Sequence, residues 1–349
     1  MLPVLMIYTI ILITIFLGPI ITITSTHLLI MWTGLEMSTL AMIPILLKTF
    51  NPRAIEAAAK YFLTQSTASM ILLLAITLNY HNLGIWQLTP NTQQYIYYLI
   101  LIALMIKLGL APFHFWVPEV TQAIPILNGL LLLTWQKIAP LIILYNISYM
   151  TNPAIIPISA TLSILLGGWG GLNQTQMRKI LAYSSIAHMG WMVAISMFNP
   201  MMMILNLLIY ILLTTSMFFT MHILSTTSII MLSKTWNKLP LLTSTSLVIL
   251  LSLGGLPPLT GFLPKWMIIV ELTKNNSIFM ALSMALMALL NLFFYMRLIY
   301  ASSMTVLPSN NNSKFYTHQN KQKYLFLMAP LIIVSSTALP ISPLLINLY

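Results

Sequence analysis

The sequence predicts an all-α polytopic membrane protein of about eleven transmembrane helices. They are expected as two inverted five-helix repeats, with broken fourth and ninth helices, followed by a C-terminal helix. Three observations lead there. Hydrophobic residues fill 59% of the 349 positions and charged residues only 5%, far too apolar a balance for a soluble domain. Apolar stretches recur at about the 20 residues that carry a helix across a bilayer. The basic residues outside those stretches fall almost wholly on one face.

The elements follow in order. The first span, 3–22, has no basic residue before it and no small-residue cleavage site, so it reads as a retained helix and not a removable signal. The second, 27–47, carries Glu36 in apolar surroundings. The third, 56–78, is opened by Glu56, where an acid suits the helix dipole. The fourth, 96–120, contains Lys107 and then the helix breakers Gly109, Pro112 and Pro118. The fifth, 124–146, holds Lys137 near its centre. The sixth, 153–172, ends in the glycine-rich run Gly167 to Gly171, which follows an apolar helix instead of a strand and so is no phosphate loop. The seventh and eighth are expected over 178–198 and 200–231. The ninth, 240–273, is interrupted by Gly254, Gly255, Pro257, Pro258, Gly261 and Pro264 beside Lys265. The tenth, 276–302, has Arg297 near its end, within snorkelling reach of the interface. The eleventh is expected over 324–346.

The loops check this count independently. Lys48, Arg53, Lys60, Arg178, Lys179, Lys234, Lys238, Lys314, Lys321 and Lys323 all fall on the face of the even-numbered loops, whereas the odd-numbered loops contribute Lys274 alone. A single miscounted helix would scramble that bias. The N-terminus is therefore expected on the cytoplasmic or matrix-equivalent side and the C-terminus on the other. Five helices separate the two breaks, an odd number, so residues 1–150 and 151–302 are expected as inverted copies, with 303–349 as a loop and last helix. Paired broken helices in corresponding positions of two halves are the pattern of secondary transporters.

Composition also excludes chemistry. The chain has no cysteine, so thiolate-held iron–sulfur clusters, zinc thiolates and disulfides are ruled out. It has no dinucleotide fingerprint, P-loop or H-E-x-x-H motif. No cofactor-binding or metal-binding residue is predicted. The formal charge of +11 is dispersed among apolar helices, which argues against nucleic acid and for anionic phospholipid head groups.

Glu36, Lys107, Lys137 and Lys265 remain as isolated charges within apolar spans. Each costs roughly 2.5 to 3.5 kcal/mol at mid-bilayer on insertion scales, about 10 to 14 together, which makes such residues functional candidates. Low dielectric disfavours a charged lysine and a nearby carboxylate favours it, so a movable Glu–Lys pair can load and release a proton. Glu36 and Lys107 are the candidate pair. His114 and His188 are further relay candidates because imidazole titrates near neutrality. His222 is a weaker one; His27, His81 and His318 read as loop or interface residues, and Glu119 and Glu271 as exposed helix-end acids. The plain alternative for each is packing, snorkelling or a structural ion pair.

The stretch from Gly170 to Gly190, with Arg178, Lys179, Tyr183, Ser184, Ser185 and His188, resembles the signature of the antiporter-like subunits of respiratory complex I, the NADH:ubiquinone oxidoreductase. Lys107 to Pro118, with its Pro-Phe-His-Phe-Trp-Val-Pro core, resembles it too. The resemblance implies that Glu36 and Lys107 form the family's Glu–Lys pair, that Lys137 is its central lysine and Lys265 the lysine of its second broken helix, and that His114 and His188 belong to the hydrophilic axis between them. It implies a non-redox, proton-translocating subunit. NADH, FMN, iron–sulfur clusters and ubiquinone would be bound by other subunits. Its partners would be other membrane-arm subunits and phospholipid, cardiolipin included. It also implies the mitochondrial inner membrane, with the N-terminus on the matrix side and the C-terminus toward the intermembrane space; the absence of Asp and abundance of Met suit such an origin. Larger relatives are expected to carry three further helices ahead of the first one here, and an acid where this chain has Gln176. Two rival readings are a stand-alone cation/proton antiporter and a non-pumping scaffold of a membrane arm.

Overall fold

The computed structural model describes residues 2–48, 50–89, 92–148, 155–237, 239–304 and 325–337. Lys238, the 305–324 stretch with Lys314, His318, Lys321 and Lys323, and the end of the expected eleventh span lie outside the described residues. The described residues form fifteen α-helices and no strand. They are α1 (Leu2–Thr24), α2 (Leu28–Leu46), α3 (Pro52–Leu83), α4 (Gln94–Leu108), α5 (Trp116–Ala123), α6 (Ile126–Leu133), α7 (Trp135–Ile147), α8 (Ile155–Leu172), α9 (Met177–Ile195), α10 (Pro200–Leu224), α11 (Ile229–Lys234), α12 (Pro240–Gly254), α13 (Phe262–Lys274), α14 (Ile278–Ser303) and α15 (Leu325–Thr337). They fall into two compact units, 1–160 and 161–349.

The helices match the eleven expected spans to within about five residues, α3 overrunning the expected 56–78 at both ends. Seven described helical stretches are long and apolar enough to cross a membrane by length and composition. The others miss that mark for local reasons. The fourth and ninth spans are split into halves, α9 opens on Arg178 and Lys179 and carries Ser184, Ser185 and His188, α11 is a short separate piece, and only Leu325–Thr337 of the eleventh is described.

The expected breaks are found. The fourth span divides into α4 and α5, and the ninth into α12 and α13. Two further interruptions were not expected. The fifth span divides between α6 and α7 at Thr134, whose Oγ1 donates to the Leu130 carbonyl at 2.7 Å while Lys137 N reaches the Thr134 carbonyl in a tighter turn. A hydroxyl that bonds back to the preceding turn competes with the helical ladder, without glycine or proline to announce it. The eighth span ends at Leu224, where Ser225 adopts the left-handed conformation at φ 50° and α11 begins separately.

In the first unit α1 and α2 cross closely. A Cβ at Gly18 would lie 2.7 Å from the Gly34 carbonyl, and one at Gly34 would lie 2.8 Å from that of Gly18. Small residues permit such backbone approach between helices in lipid, where packing replaces the hydrophobic drive. Side chains then bond to backbone across helices: Trp135 to the Ile15 carbonyl at 2.9 Å, Asn128 to that of Ile45 at 2.6 Å and Gln136 to that of Ser38 at 3.3 Å. In the second unit the glycines of the 167–171 run seat the end of α8 against α9 and α14, facing Ala187 and Leu290. The Arg297 guanidinium does not simply snorkel. It donates to the backbone carbonyls of Leu172 and Gln174, satisfying groups freed where α8 ends.

Candidate functional site

The first break positions Lys107 in the last turn of α4. Gly109, at φ 71°, turns the chain out of the helix, and its N–H bonds back to Ile106 at 3.2 Å. A side chain there would strike Val117, so glycine is required by conformation and by space. Ending a helix inside the hydrocarbon frees carbonyls that must find donors. Trp116, first residue of α5, adds a donor: its indole donates at 3.1 Å to the Ile106 carbonyl, which also accepts from Gly109 N–H. Lys107 is thereby left for another partner. Its Nζ lies 3.3 Å from Glu36 Oε1, in an ion pair whose lysine side chain is 1% exposed and whose glutamate is 21% exposed.

Lys137 occupies the first turn of α7, directly after the Thr134 interruption, and is 4% exposed. It and Lys107 line one narrow cavity, with room for roughly one water molecule, together with Ser38, Thr39, Gln65 and Gln136. Two lysines, four hydroxyl or amide side chains and the rings of Tyr61 and Trp116 around one water-sized space put donors and acceptors within reach of a single water. His114 lies in the same break, buried, with Nδ1 3.3 Å from the Pro112 carbonyl and its ring 4.1 Å from that of Phe115.

The second unit holds Lys265 and His188. Gly255 closes α12 at φ 81°, and Lys265, in the first turn of α13, folds back so that Nζ donates to the carbonyls of Gly254 at 2.8 Å and Leu253 at 3.4 Å. A Cβ at Gly255 would sit 2.7 Å from that ammonium. His188 is 8% exposed on α9, with its ring 5.4 Å from Tyr210. His222 is exposed in the last turn of α10.

Sequence reasoning missed three features. It placed Lys107 and Lys265 beside helix breaks but did not foresee the interruption before Lys137, which has no glycine or proline. It did not single out Tyr210 and Tyr295, which are both 1% exposed among polar neighbours. It read Glu119 as merely exposed, whereas Lys60 pairs with it at 2.7 Å and with Glu56 at 2.6 Å, tying the start of α3 to α5. Among the described residues, no group of three histidine, cysteine or acidic side chains could hold a metal ion.

Broken helices with buried lysines at their ends, inside an all-helical membrane fold, define a transporter-type membrane protein. Residues 25–291 match the family described as NADH:quinone oxidoreductase/Mrp antiporter, TM, and residues 292–346 match NADH dehydrogenase subunit 2 C-terminus, so the chain belongs to this family of proton-antiporter-type membrane proteins and to its subunit 2 branch. The chain is 59% identical to NADH-ubiquinone oxidoreductase chain 2 of Mus musculus over 334 residues, covering 96% of this chain and 97% of that one. It is equally identical to the same-named protein of Oryctolagus cuniculus, with 96% of each chain covered. Among solved structures, a chain of respiratory complex I from Thermus thermophilus superposes with a TM-score of 0.80 at 25% identity, covering 94% of this chain and 77% of that one. A chain of the Mrp complex from Dietzia sp. shares the fold at a TM-score of 0.79 and 16% identity, with 96% and 75% covered.

Proposed function

We propose that the chain is a proton-translocating core subunit of respiratory complex I, which carries protons through the membrane arm while electron transfer to ubiquinone proceeds in other subunits. The observation that carries this reading is the Glu36–Lys107 pair at the first break, opening on a cavity that Lys137 also lines. A change in electrostatics driven by quinone chemistry elsewhere withdraws Glu36 from Lys107. The ammonium, in low dielectric and without its counter-charge, then releases its proton through the water-sized space toward Lys137. When the carboxylate returns, Lys107 reloads. In the second unit, Lys265 and His188 carry the onward transfer, as the family's order of charges implies.

We assign NADH, FMN, iron–sulfur clusters and ubiquinone to partner subunits. A chain without cysteine and without a nucleotide fingerprint supports that division. Its partners are other membrane-arm subunits and phospholipid; the exposed apolar stripe of α14, from Phe279 through Leu286 to Phe293, suits both. We place it in the mitochondrial inner membrane as two inverted five-helix repeats, with the N-terminus on the matrix side, on the ten-to-one distribution of loop charges. The test is Lys137→Met in the assembled complex. Normal assembly with impaired proton pumping and coupled turnover is expected; wild-type stoichiometry and turnover would overturn the reading.

A further inference from the structure

The second unit contains a run of buried hydroxyl groups that the lysine–histidine relay does not use. On α9, Ser184 and Ser185 are at most 1% exposed and stand one turn before His188. Tyr210 on α10 interacts with the Ser185 hydroxyl and packs its ring 5.4 Å from the His188 imidazole. Tyr295 on α14 faces the Ser184 hydroxyl without an aligned hydrogen bond, and lies near enough to Tyr210 to couple to it electrostatically. The ring of Tyr295 rests against Gly254, 3.7 Å from where a Cβ would sit. The Gly254 carbonyl is the one that accepts from Lys265 Nζ at 2.8 Å.

Packing alone does not explain these side chains. A phenolic hydroxyl buried in an apolar bundle costs about 1 to 3 kcal/mol unless it is hydrogen-bonded, and phenylalanine would fill the same space without that cost. Asn206, one turn before Tyr210, and Asn291, one turn before Tyr295, are also buried, with Nδ2 of the first and Oδ1 of the second lacking a partner among the described residues. Two tyrosines, each preceded one turn earlier on its helix by an asparagine with unmet hydrogen-bonding capacity, form a polar seam between three helices. Such a seam is hydrated in folded proteins.

We propose that Tyr210 and Tyr295 are proton-passing residues of the second unit, their hydroxyls joining His188 to the helix end that holds Lys265. Each phenol passes its own proton to the acceptor ahead as its oxygen takes one from the donor behind, so the tyrosine ends neutral and nothing is oxidised or reduced. Ser184 and Ser185 position the two hydroxyls. The inference rests on the reading of the chain as a proton carrier, and it adds two residues to it.

The test uses Tyr210→Phe and Tyr295→Phe in the assembled complex beside Lys137→Met, measuring coupled turnover, protons moved per electron pair and the turnover ratio between H2O and D2O. Both phenylalanine variants keep the ring. Turnover lower by about tenfold, the loss of one good hydrogen-bonding step, together with a larger solvent isotope effect, is the expected result. Wild-type turnover and isotope effect, with Lys137→Met impaired, would overturn this inference and leave the proposed function standing. Slower turnover with an unchanged isotope effect would also overturn it, since that is what loosened packing alone gives. If Lys137→Met itself pumps normally, the underlying reading fails instead. Should the phenylalanine variants not assemble, Ser184→Ala and Ser185→Ala, which leave both rings in place, are judged by the same two criteria.

Discussion

The two expected breaks use the same backbone device and spend their lysines differently. Each ends a half-helix on a left-handed glycine, Gly109 or Gly255. At the first, the Ile106 carbonyl is met by Gly109 N–H and the neutral indole of Trp116, and Lys107 is left to pair with a carboxylate. At the second, Lys265 itself takes the freed carbonyls of Leu253 and Gly254. The difference teaches what can switch. A lysine held by a carboxylate is discharged by moving one side chain. A lysine held by the negative end of a helix stays with that helix unless the backbone moves.

The sharpest way to break this comparison is Glu36→Gln. It leaves a buried ammonium without its counter-charge and is expected to destabilise the assembled protein by about 2 to 4 kcal/mol, somewhat below a fully buried pair because Glu36 is 21% exposed. Glu36→Gln with Lys107→Met should recover part of that loss, as a double-mutant cycle on thermal stability will read. Strictly additive losses would mean that the pair does not interact. Next come the glycines. Alanine at 109 or 255 is strained by about 1 to 2 kcal/mol at positive φ, but only at 255 would the new methyl press on a lysine. Gly109→Ala, whose methyl would also strike Val117, should lower the melting temperature more, whereas Gly255→Ala should lower turnover more; equal effects on turnover would erase the distinction.

A smaller effect is expected from Trp116→Phe, which deletes the donor to the Ile106 carbonyl and costs about 1 kcal/mol of stability. Lys265→Met removes the corresponding donor in the second unit, so the two substitutions compare a capping indole with a capping cation. The smallest effect belongs to Lys60→Met. Its pairs with Glu56 and Glu119 are exposed, and no measurable change in melting temperature is expected, at low salt or high.

Much of this was legible in the sequence because membrane helices announce themselves by length and apolarity, and because glycine and proline mark where they stop. The breaks after Lys107 and before Lys265 were read from Gly109, Pro112, Pro257 and Pro258, and the Glu36–Lys107 pair from the scarcity of intramembrane charge together with the family resemblance. The interruption at Thr134 was not legible, since threonine is ordinary within a membrane helix and only its bond to the Leu130 carbonyl gives it away. Ser225 likewise ends α10 in a conformation that glycine would have advertised. Tertiary bonds across long separations were equally silent. Nothing in the local sequence shows that Arg297 would meet the carbonyls of Leu172 and Gln174, or that Tyr210 and Tyr295 would share a buried seam with α9.

The central claim is that the Lys107 charge, set by Glu36, loads and releases a proton. Protons moved per electron pair, measured in closed vesicles containing the assembled complex with Lys107→Met, test it most directly. Fewer protons per electron pair, or coupled turnover lowered at least tenfold with assembly intact, is the predicted result; wild-type stoichiometry at wild-type turnover would contradict it.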